Sequence, residues 1–246
     1  MADIVNRGLS GYNTRWALQA LPHVFGPPGA AAAPPPPAAA SVGPAPQHVL
    51  FATVWFGAND AALLSGPSHS ARQHVPVEEY GKNLRQIVSH ARAAGVERLV
   101  LITPPPVWEA GRKKHQIGRM GEQAADWPLD RTLEGTAPYA REAVAVAQEL
   151  GTPCLDLQTL LQQEDRWGDQ LLVDGLHFTP SGQEKVWQLL RELLSREWPD
   201  LSPESLPAQF PAWDAIDLAN PAATFGATGA AASGADIGNT GAAPQK

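Results

Sequence analysis

An aspartate and a histidine stand three residues apart in the stretch LLVDGLHFTPSG, residues 171–182. At this spacing the carboxylate of Asp174 can hold one tautomer of the His177 imidazole and stabilise the imidazolium that forms when the ring takes up a proton. The pair could therefore act as orienting acid and general base in nucleophilic catalysis. Each residue also has a structural alternative, since a lone histidine is often a hydrogen-bonded surface residue and Asp174 could make a turn with Gly175.

Two further positions could stabilise negative charge on a reacting oxygen. Asn59 lies in FGAND, directly after an apolar run, and its side-chain amide could donate a hydrogen bond to an oxyanion. Gly11 lies in SGYNT and could offer a backbone N–H to the same oxygen. The structural alternatives are an Asn-Asp turn at the end of a strand and a glycine turn before a helix.

Apolar runs in the sequence predict the strands that would position these residues. VLFATVWF, residues 49–56, is rich in valine and aromatics and predicts a strand covered on both faces of a parallel sheet. ERLVLIT (97–103) repeats that pattern, and PCLDL (153–157) does so more briefly. DIVN (3–6) is a further short strand candidate.

Helical patterns alternate with these strands. Residues 76–95 and 134–151 carry apolar side chains at spacings of three and four, and each segment closes at a glycine. The last helix is predicted to start with Thr179 as N-cap and Pro180 as its first residue. The alternation predicts an α/β domain with a parallel sheet, whose site lies at the carboxyl ends of the strands.

Charge and hydropathy exclude two classes of partner. The formal net charge is -7, and no Lys/Arg cluster is dense enough to follow a nucleic-acid backbone. The basic run GRKKH, residues 111–115, is predicted to be a solvated loop. The longest apolar stretch, residues 49–58, is about half of what spans a bilayer, so no integral membrane segment is expected. The N-terminus has no signal-peptide pattern, and we expect a cytoplasmic protein.

Composition also predicts the domain organisation. Residues 26–47 are mostly Ala and Pro, and residues 220–246 are mostly Ala, Gly, Pro, Thr and Asn. Such segments bury too little apolar surface to offset their chain entropy. We therefore predict a single domain over residues 1–219, interrupted by a disordered insert at 26–47 and followed by a disordered tail at 220–246.

The sequence offers little for metal or cofactor chemistry. Cys154 is the only cysteine, so no intramolecular disulfide can form, and its place in a predicted strand favours packing as a small hydrophobe. His69 and His74 have no nearby set of ligating residues, so no metal site is predicted. A flavodoxin-like cofactor binder is a possible class, but the chain has no Gly-rich phosphate loop. We expect no cofactor.

Several motifs in order carry a family resemblance. A glycine after one strand, G-x-N-D after the next and D-x-x-H before the last helix together resemble the SGNH, or GDSL, family of serine esterases and lipases. Five segments of the chain look especially like the branch of isoamyl-acetate-hydrolysing esterase homologues: NRGLSGYNTRW, FGANDAAL, QHVPVEEYGKNL, LVLITPPP and DGLHFTPSG. The resemblance covers residues 3–198, apart from the Ala/Pro insert.

The resemblance implies a fold and a set of roles. The fold would be a flavodoxin-like three-layer sandwich with a parallel sheet, as in SGNH hydrolases. Gly11 and Asn59 would be oxyanion donors, His177 the general base and Asp174 its orienting acid. The substrate would be a small acyl ester or lipid ester, and the chemistry would need no metal or organic cofactor.

The nucleophile is where the chain departs from the family pattern. The family's serine lies in a G-D-S motif directly after its first, central strand, and this chain has no such motif. We therefore expect that strand and its serine to lie upstream of Met1. Ser10 is the one local substitute, and it would have to reach His177 from the oxyanion side of the cleft. The other serines considered fall in a polar SGPSHS loop and are expected at the surface: Ser65, Ser68 and Ser70.

Two functional hypotheses follow. The first is a carboxylic ester hydrolase that uses Ser-His-Asp chemistry and is truncated here, so that its nucleophile is missing. The second is a catalytically inactive relative that binds a ligand or a partner protein in the remaining cleft. The motifs do not indicate the oligomeric state or the acyl and alcohol parts of the substrate.

Overall fold

The computed structural model describes residues 3–25, 49–67, 70–206 and 212–227. The predicted insert at 26–47 lies outside the described residues. The predicted tail is described to residue 227, and its first part forms a short helix. The chain divides into a larger compact unit, residues 6–199, and a smaller one made of residues 1–5 and 200–246. Within the described ranges, no helix has the length and hydropathy needed to cross a bilayer.

The larger unit is built on a parallel sheet. Strands β1 (Ala52–Trp55), β2 (Leu99–Ile102) and β3 (Cys154–Leu155) pair in the order β1-β2-β3. Leu101 in the middle strand lies opposite Val54 on one side and Cys154 on the other. The three apolar runs predicted as strands after the insert thus form strands, although each strand is shorter than its run.

Helices occupy most of the remaining described chain. The α-helices are α1 (Thr14–Phe25), α2 (Ser70–Gln73), α3 (Val77–Ala93), α4 (Glu109–Met120), α5 (Leu133–Glu149), α6 (Leu157–Leu161), α7 (Trp167–Leu171), α8 (Pro180–Glu197) and α9 (Pro221–Ala227). Short 3-10 helices cover Glu122–Asp126, Pro199–Leu201 and Trp213–Ala215. The three helices predicted from periodicity correspond to α3, α5 and α8. Thr179 caps α8 as predicted, because its hydroxyl accepts a hydrogen bond from the Gly182 amide at 3.0 Å.

The sheet separates two apolar cores. Leu99 and Leu101 of β2 point to one side, where they pack with buried side chains of α1, α3 and α5. Val100 and Ile102 point to the other side, where α6, α7 and α8 cover them. Because neighbouring residues of a strand face opposite sides, the continuous apolar run of β2 requires helices on both faces. The larger unit is therefore a three-layer α/β sandwich, as the family resemblance implies.

Strand β1 is covered less completely than its apolar run predicts. Val54 is buried with α1, α3 and α5, whereas Thr53 and Trp55 on the other face are exposed, and Trp55 is 38% accessible. The prediction of two covered faces is thus wrong for this strand. The described core formed with α6, α7 and α8 on that side includes side chains of β2 and β3 and none of β1. Trp55 packs there against Phe178, with ring centroids 5.8 Å apart.

The strand predicted at residues 3–6 is also wrong. These residues form no strand, and Ile4 is 95% exposed. A strand needs a neighbour for its backbone donors and acceptors, and the described sheet places none beside this segment. The β-branched pair Ile4 and Val5 therefore gives a misleading signal here.

Candidate active site

The loop between α7 and α8 carries the predicted acid and base. An antiparallel bridge between Leu172 and Phe178 closes this loop, and the Val173 amide donates to the His177 carbonyl at 2.8 Å. Gly175 at its tip has φ +79°, and a Cβ there would clash with the backbone of Trp108 and Arg112. Glycine at this position therefore lets the loop lie directly against the start of α4.

Asp174 is buried and accepts four hydrogen bonds. Its Oδ1 accepts from the backbone amides of Leu176 and His177 at 3.0 and 2.8 Å. Its Oδ2 accepts from Nδ1 of His177 at 2.9 Å and from Nη1 of Arg112 at 3.0 Å. Burial alone would raise the pKa of Asp174, but the hydrogen bonds and the charge of His177 outweigh burial and lower the pKa to about 2. Asp174 is thus an ionised acceptor at neutral pH.

His177 presents its other ring nitrogen away from this carboxylate. When Nδ1 donates to Asp174, Nε2 of the neutral ring is the atom that can accept a proton. The side chain is 72% exposed, so substrate could reach it. Among the described residues, no serine hydroxyl is hydrogen-bonded to Nε2, and Ser10 is no exception. The structure thus brings together the predicted acid and base, and within the described ranges it places no serine hydroxyl against them.

Asn59 and Gly11 are held together by Gln73. Nε2 of Gln73 lies 3.0 Å from the Gly11 carbonyl oxygen and 3.2 Å from Oδ1 of Asn59, and it donates to both. Nδ2 of Asn59 donates to the Tyr12 carbonyl at 2.8 Å, which leaves its second N–H for another acceptor. Gly11 has φ +78°, a region that favours glycine. The two predicted oxyanion positions therefore lie on adjoining turns.

Asp60 fixes the turn that carries Asn59 to the start of α1. Its Oδ1 accepts from the Thr14 amide at 2.9 Å and from the Thr14 hydroxyl at 2.5 Å, and the carboxylate is fully buried. Burial raises the pKa of Asp60 despite these hydrogen bonds. The aspartate of the G-x-N-D motif is thus a structural residue that positions Asn59 relative to Gly11.

A buried network of ion pairs connects Asp174, which binds His177, to Asn59. Asp130 accepts from Nε and Nη2 of Arg112 at 2.8 and 2.6 Å, and from Nη1 of Arg131 at 2.6 Å. Nη2 of Arg131 donates to Oδ1 of Asn59 at 2.9 Å. Asp130 and Arg131 are each 3% exposed. Burial opposes the charge on Asp130, but the two arginines hold its pKa below its usual value.

The sequence did not indicate this network, and two predictions for segments GRKKH and SGPSHS were wrong. The run GRKKH is part of α4 and not a solvated loop, since Arg112 turns inward to Asp130 and Asp174. Ser70 was expected at the surface but is fully buried at the start of α2. Ser65 is exposed as expected, whereas Ser68 and His69 lie outside the described residues.

The lowered pKa of Asp174 predicts a pH-dependent contribution to stability. The folded-state pKa of about 2 lies below the ordinary value of 3.8, so the stabilisation is full above pH 4 and is lost as the pH falls toward 2. At pH 7 the difference corresponds to about 2 kcal/mol. Asp174→Asn is therefore expected to lower the free energy of unfolding by about that amount at pH 7, and by much less at pH 2.

Urea unfolding at both pH values measures this effect. Asp169→Asn is the matched control, because Asp169 forms an exposed ion pair with Arg166, and little change is expected there. An equal loss at pH 7 and at pH 2 for Asp174→Asn would show that the ionised carboxylate is not what stabilises the loop.

Comparisons with known proteins identify a family. A sequence model described as the GDSL-like Lipase/Acylhydrolase family matches residues 1–185. A GDSL esterase/lipase of Arabidopsis thaliana is 44% identical over 225 residues, which cover 91% of this chain and 84% of that protein. An isoamyl acetate-hydrolyzing esterase 1 homolog of Mus musculus is 36% identical over 221 residues, with 89% and 77% covered.

Solved structures show a similar fold. A lipase/acylhydrolase from Enterococcus faecalis superposes with a TM-score of 0.50 at 22% identity, covering 76% of this chain and 72% of that chain. A mutant of an acetyl-xylooligosaccharide esterase from Geobacillus superposes with a TM-score of 0.51 at 17% identity, with 79% and 73% covered. At these identities the likeness concerns the fold.

Proposed function

Because this chain belongs to the GDSL-like Lipase/Acylhydrolase family, we propose that it hydrolyses short-chain carboxylic esters with His177 as general base and Asp174 as its orienting acid. The observation that carries the proposal is the 2.9 Å hydrogen bond between Nδ1 of His177 and the buried Asp174 carboxylate. It leaves an exposed Nε2 for proton transfer, as a serine hydrolase requires.

The proposed mechanism gives each of these residues one role. Nε2 of His177 takes the proton of a serine hydroxyl as the serine oxygen bonds to the ester carbonyl carbon. The carbonyl oxygen becomes an oxyanion, which accepts hydrogen bonds from the Asn59 amide and the Gly11 N–H. The imidazolium, stabilised by Asp174, then gives its proton to the departing alcohol. Water repeats the sequence on the acyl-enzyme and releases the carboxylic acid.

The serine is proposed to come from a strand beside β1. Strand β1 is an edge of the described sheet, so the backbone N–H and C=O groups on its outer side are where a further strand could pair. A Gly-Asp-Ser turn at the carboxyl end of such a strand would enter the same sheet edge as Asn59. We call this sequence, with a strand and Gly-Asp-Ser added ahead of Met1, the extended chain. Ser10 is the alternative nucleophile within the present sequence.

Short acyl chains are the proposed substrate class. The mouse relative is named for hydrolysis of isoamyl acetate, an ester of a two-carbon acid. The extended chain is therefore expected to hydrolyse p-nitrophenyl acetate and butyrate with kcat/KM at least about tenfold above that for the palmitate ester. This ratio corresponds to about 1.4 kcal/mol of weaker transition-state binding for the long acyl chain. Initial rates across this acyl series measure the preference. Equal or higher kcat/KM for palmitate would contradict the proposed class.

A second candidate function rests on the observation that none of the described serine hydroxyls is hydrogen-bonded to Nε2 of His177. The chain could bind an ester or a carboxylate in the cleft without turning it over. In that case the extended chain would bind a short-chain ester, measured by calorimetry, while its hydrolysis rate equalled that of buffer alone.

A further inference from the structure

We propose that Arg112 and Arg131, bridged by Asp130, are positioning residues that set the orientation of both His177 and Asn59. Neither arginine needs to touch substrate for this role. Arg112 would act through Asp174, and Arg131 would act through the side-chain amide of Asn59. The inference rests on the proposed function for its catalytic consequence, but its structural part can be tested without turnover.

Arg112 holds two carboxylates at a fixed separation. Its Nε and Nη2 form a paired contact with Asp130 at 2.8 and 2.6 Å, and Nη1 donates to Oδ2 of Asp174 at 3.0 Å. The guanidinium is planar, so these donors have a fixed mutual geometry that a lysine cannot reproduce. Because Oδ2 of Asp174 also accepts from Nδ1 of His177, the plane of the carboxylate determines where the imidazole points.

Arg131 fixes the amide of Asn59. Its Nη2 donates to Oδ1 of Asn59 at 2.9 Å and to Oε1 of Gln73 at 2.8 Å, while Nε donates to the Ala58 carbonyl at 2.6 Å. An amide whose oxygen accepts from a cation cannot flip, since flipping would place its NH2 against the guanidinium. The NH2 of Asn59 is therefore held on the side of the Tyr12 carbonyl, with one N–H left for an oxyanion.

The charges in the network are balanced. Arg112 and Arg131 face Asp130 and Asp174, so two cations compensate two buried carboxylates. His115 approaches the same cluster from α4, with Nε2 at 3.8 Å from Oδ2 of Asp174. Burying a charge is costly, and the attraction between paired charges offsets that cost only where the geometry is good and further hydrogen bonds satisfy the groups. This geometry joins the acid-base pair to the oxyanion pair through three consecutive ion contacts.

The structural test uses NMR of the 246-residue chain. In Arg112→Gln, the Nδ1–H of His177 is expected to exchange with water at least about tenfold faster, because the Asp174 carboxylate would then be held only through Oδ1, by the Leu176 and His177 amides, and Oδ2 would be oriented less firmly. In Arg131→Gln, the side-chain amide resonances of Asn59 are expected to shift while those of His177 change little. Arg85→Gln is the matched control, since Arg85 pairs with Glu142 and Glu149 near the surface, and neither resonance should move.

Two further variants distinguish the effect of the donor geometry of Arg112 from the effect of its charge and from misfolding. Arg112→Lys keeps the cation but loses the planar set of donors, so it is expected to behave as Arg112→Gln does. If the single variants do not fold, Arg112→Gln with Asp130→Asn removes one cation and one anion together and keeps the charges balanced. Unchanged His177 exchange in a folded Arg112 variant would overturn the proposal, as would full rescue by lysine.

The catalytic consequence is measured in the extended chain. Arg112→Gln and Arg131→Gln are each expected to lower kcat about 10²-fold with KM nearly unchanged, the size of effect expected when a catalytic group is displaced by about 1 Å. If the NMR changes occur but neither the unmutated extended chain nor its variants hydrolyse esters, the proposed function fails and the positioning role stands. If kcat falls while both sets of resonances stay in place, the positioning role is wrong.

Discussion

Replacing His177 with alanine in the extended chain is expected to lower kcat for a short-chain ester by about 10⁶-fold. One imidazole takes the proton from the nucleophile and then returns it to the leaving alcohol, so its loss removes both steps together. In a well-studied serine protease, removal of the histidine alone costs about this factor. Initial rates with p-nitrophenyl butyrate, followed over hours for the variant, measure the loss.

The control for this prediction is His23→Ala. His23 is exposed near the end of α1, and its replacement should leave kcat and KM unchanged. Circular dichroism and thermal unfolding of both variants establish that each is folded. Retention of more than a few per cent of turnover by His177→Ala would remove the histidine from the mechanism.

The second large effect concerns the nucleophile. The 246-residue chain is expected to hydrolyse the same ester about 10⁶-fold more slowly than the extended chain, because none of the described serine hydroxyls contacts Nε2 of His177. Oxyanion donors and substrate binding alone account for only a small residual rate. Comparing kcat for the two forms at equal enzyme concentration measures the difference.

Ser10→Ala is the informative companion variant. In the 246-residue chain it is expected to change nothing, since Ser10 is exposed and makes no contact with the described acid-base pair. Rapid hydrolysis by the 246-residue chain that disappears in Ser10→Ala would show instead that the nucleophile lies on the Gly11 turn.

The features predicted correctly from sequence are those with local causes. Thr179 caps α8 through an amide three residues ahead, and Asp174 meets His177 three residues ahead. Both contacts lie within one turn of chain, so residue type and spacing specify them. The uninterrupted apolar run of β2 is buried on both faces as predicted, whereas the similar run of β1 has one exposed face.

The features that sequence did not reveal depend on distant parts of the chain. Arg112 meets Asp130 across 18 residues and Asp174 across 62, and Arg131 meets Asn59 across 72. No spacing rule marks a single arginine in GRKKH as one that turns inward. The same holds for Ser70, whose burial depends on tertiary packing, and for residues 3–6, whose strand pattern has no neighbour in the described sheet.

Covalent labelling tests the central claim most directly, since a fluorophosphonate reacts with a serine only when a base activates its hydroxyl. The extended chain and its His177→Ala variant would be incubated with the reagent, and the adducts would be counted by intact mass and located by peptide mapping. The account predicts one adduct per chain, on the serine of Gly-Asp-Ser, with labelling almost absent in His177→Ala. An adduct on another residue, or labelling that proceeds at the same rate without His177, would contradict it.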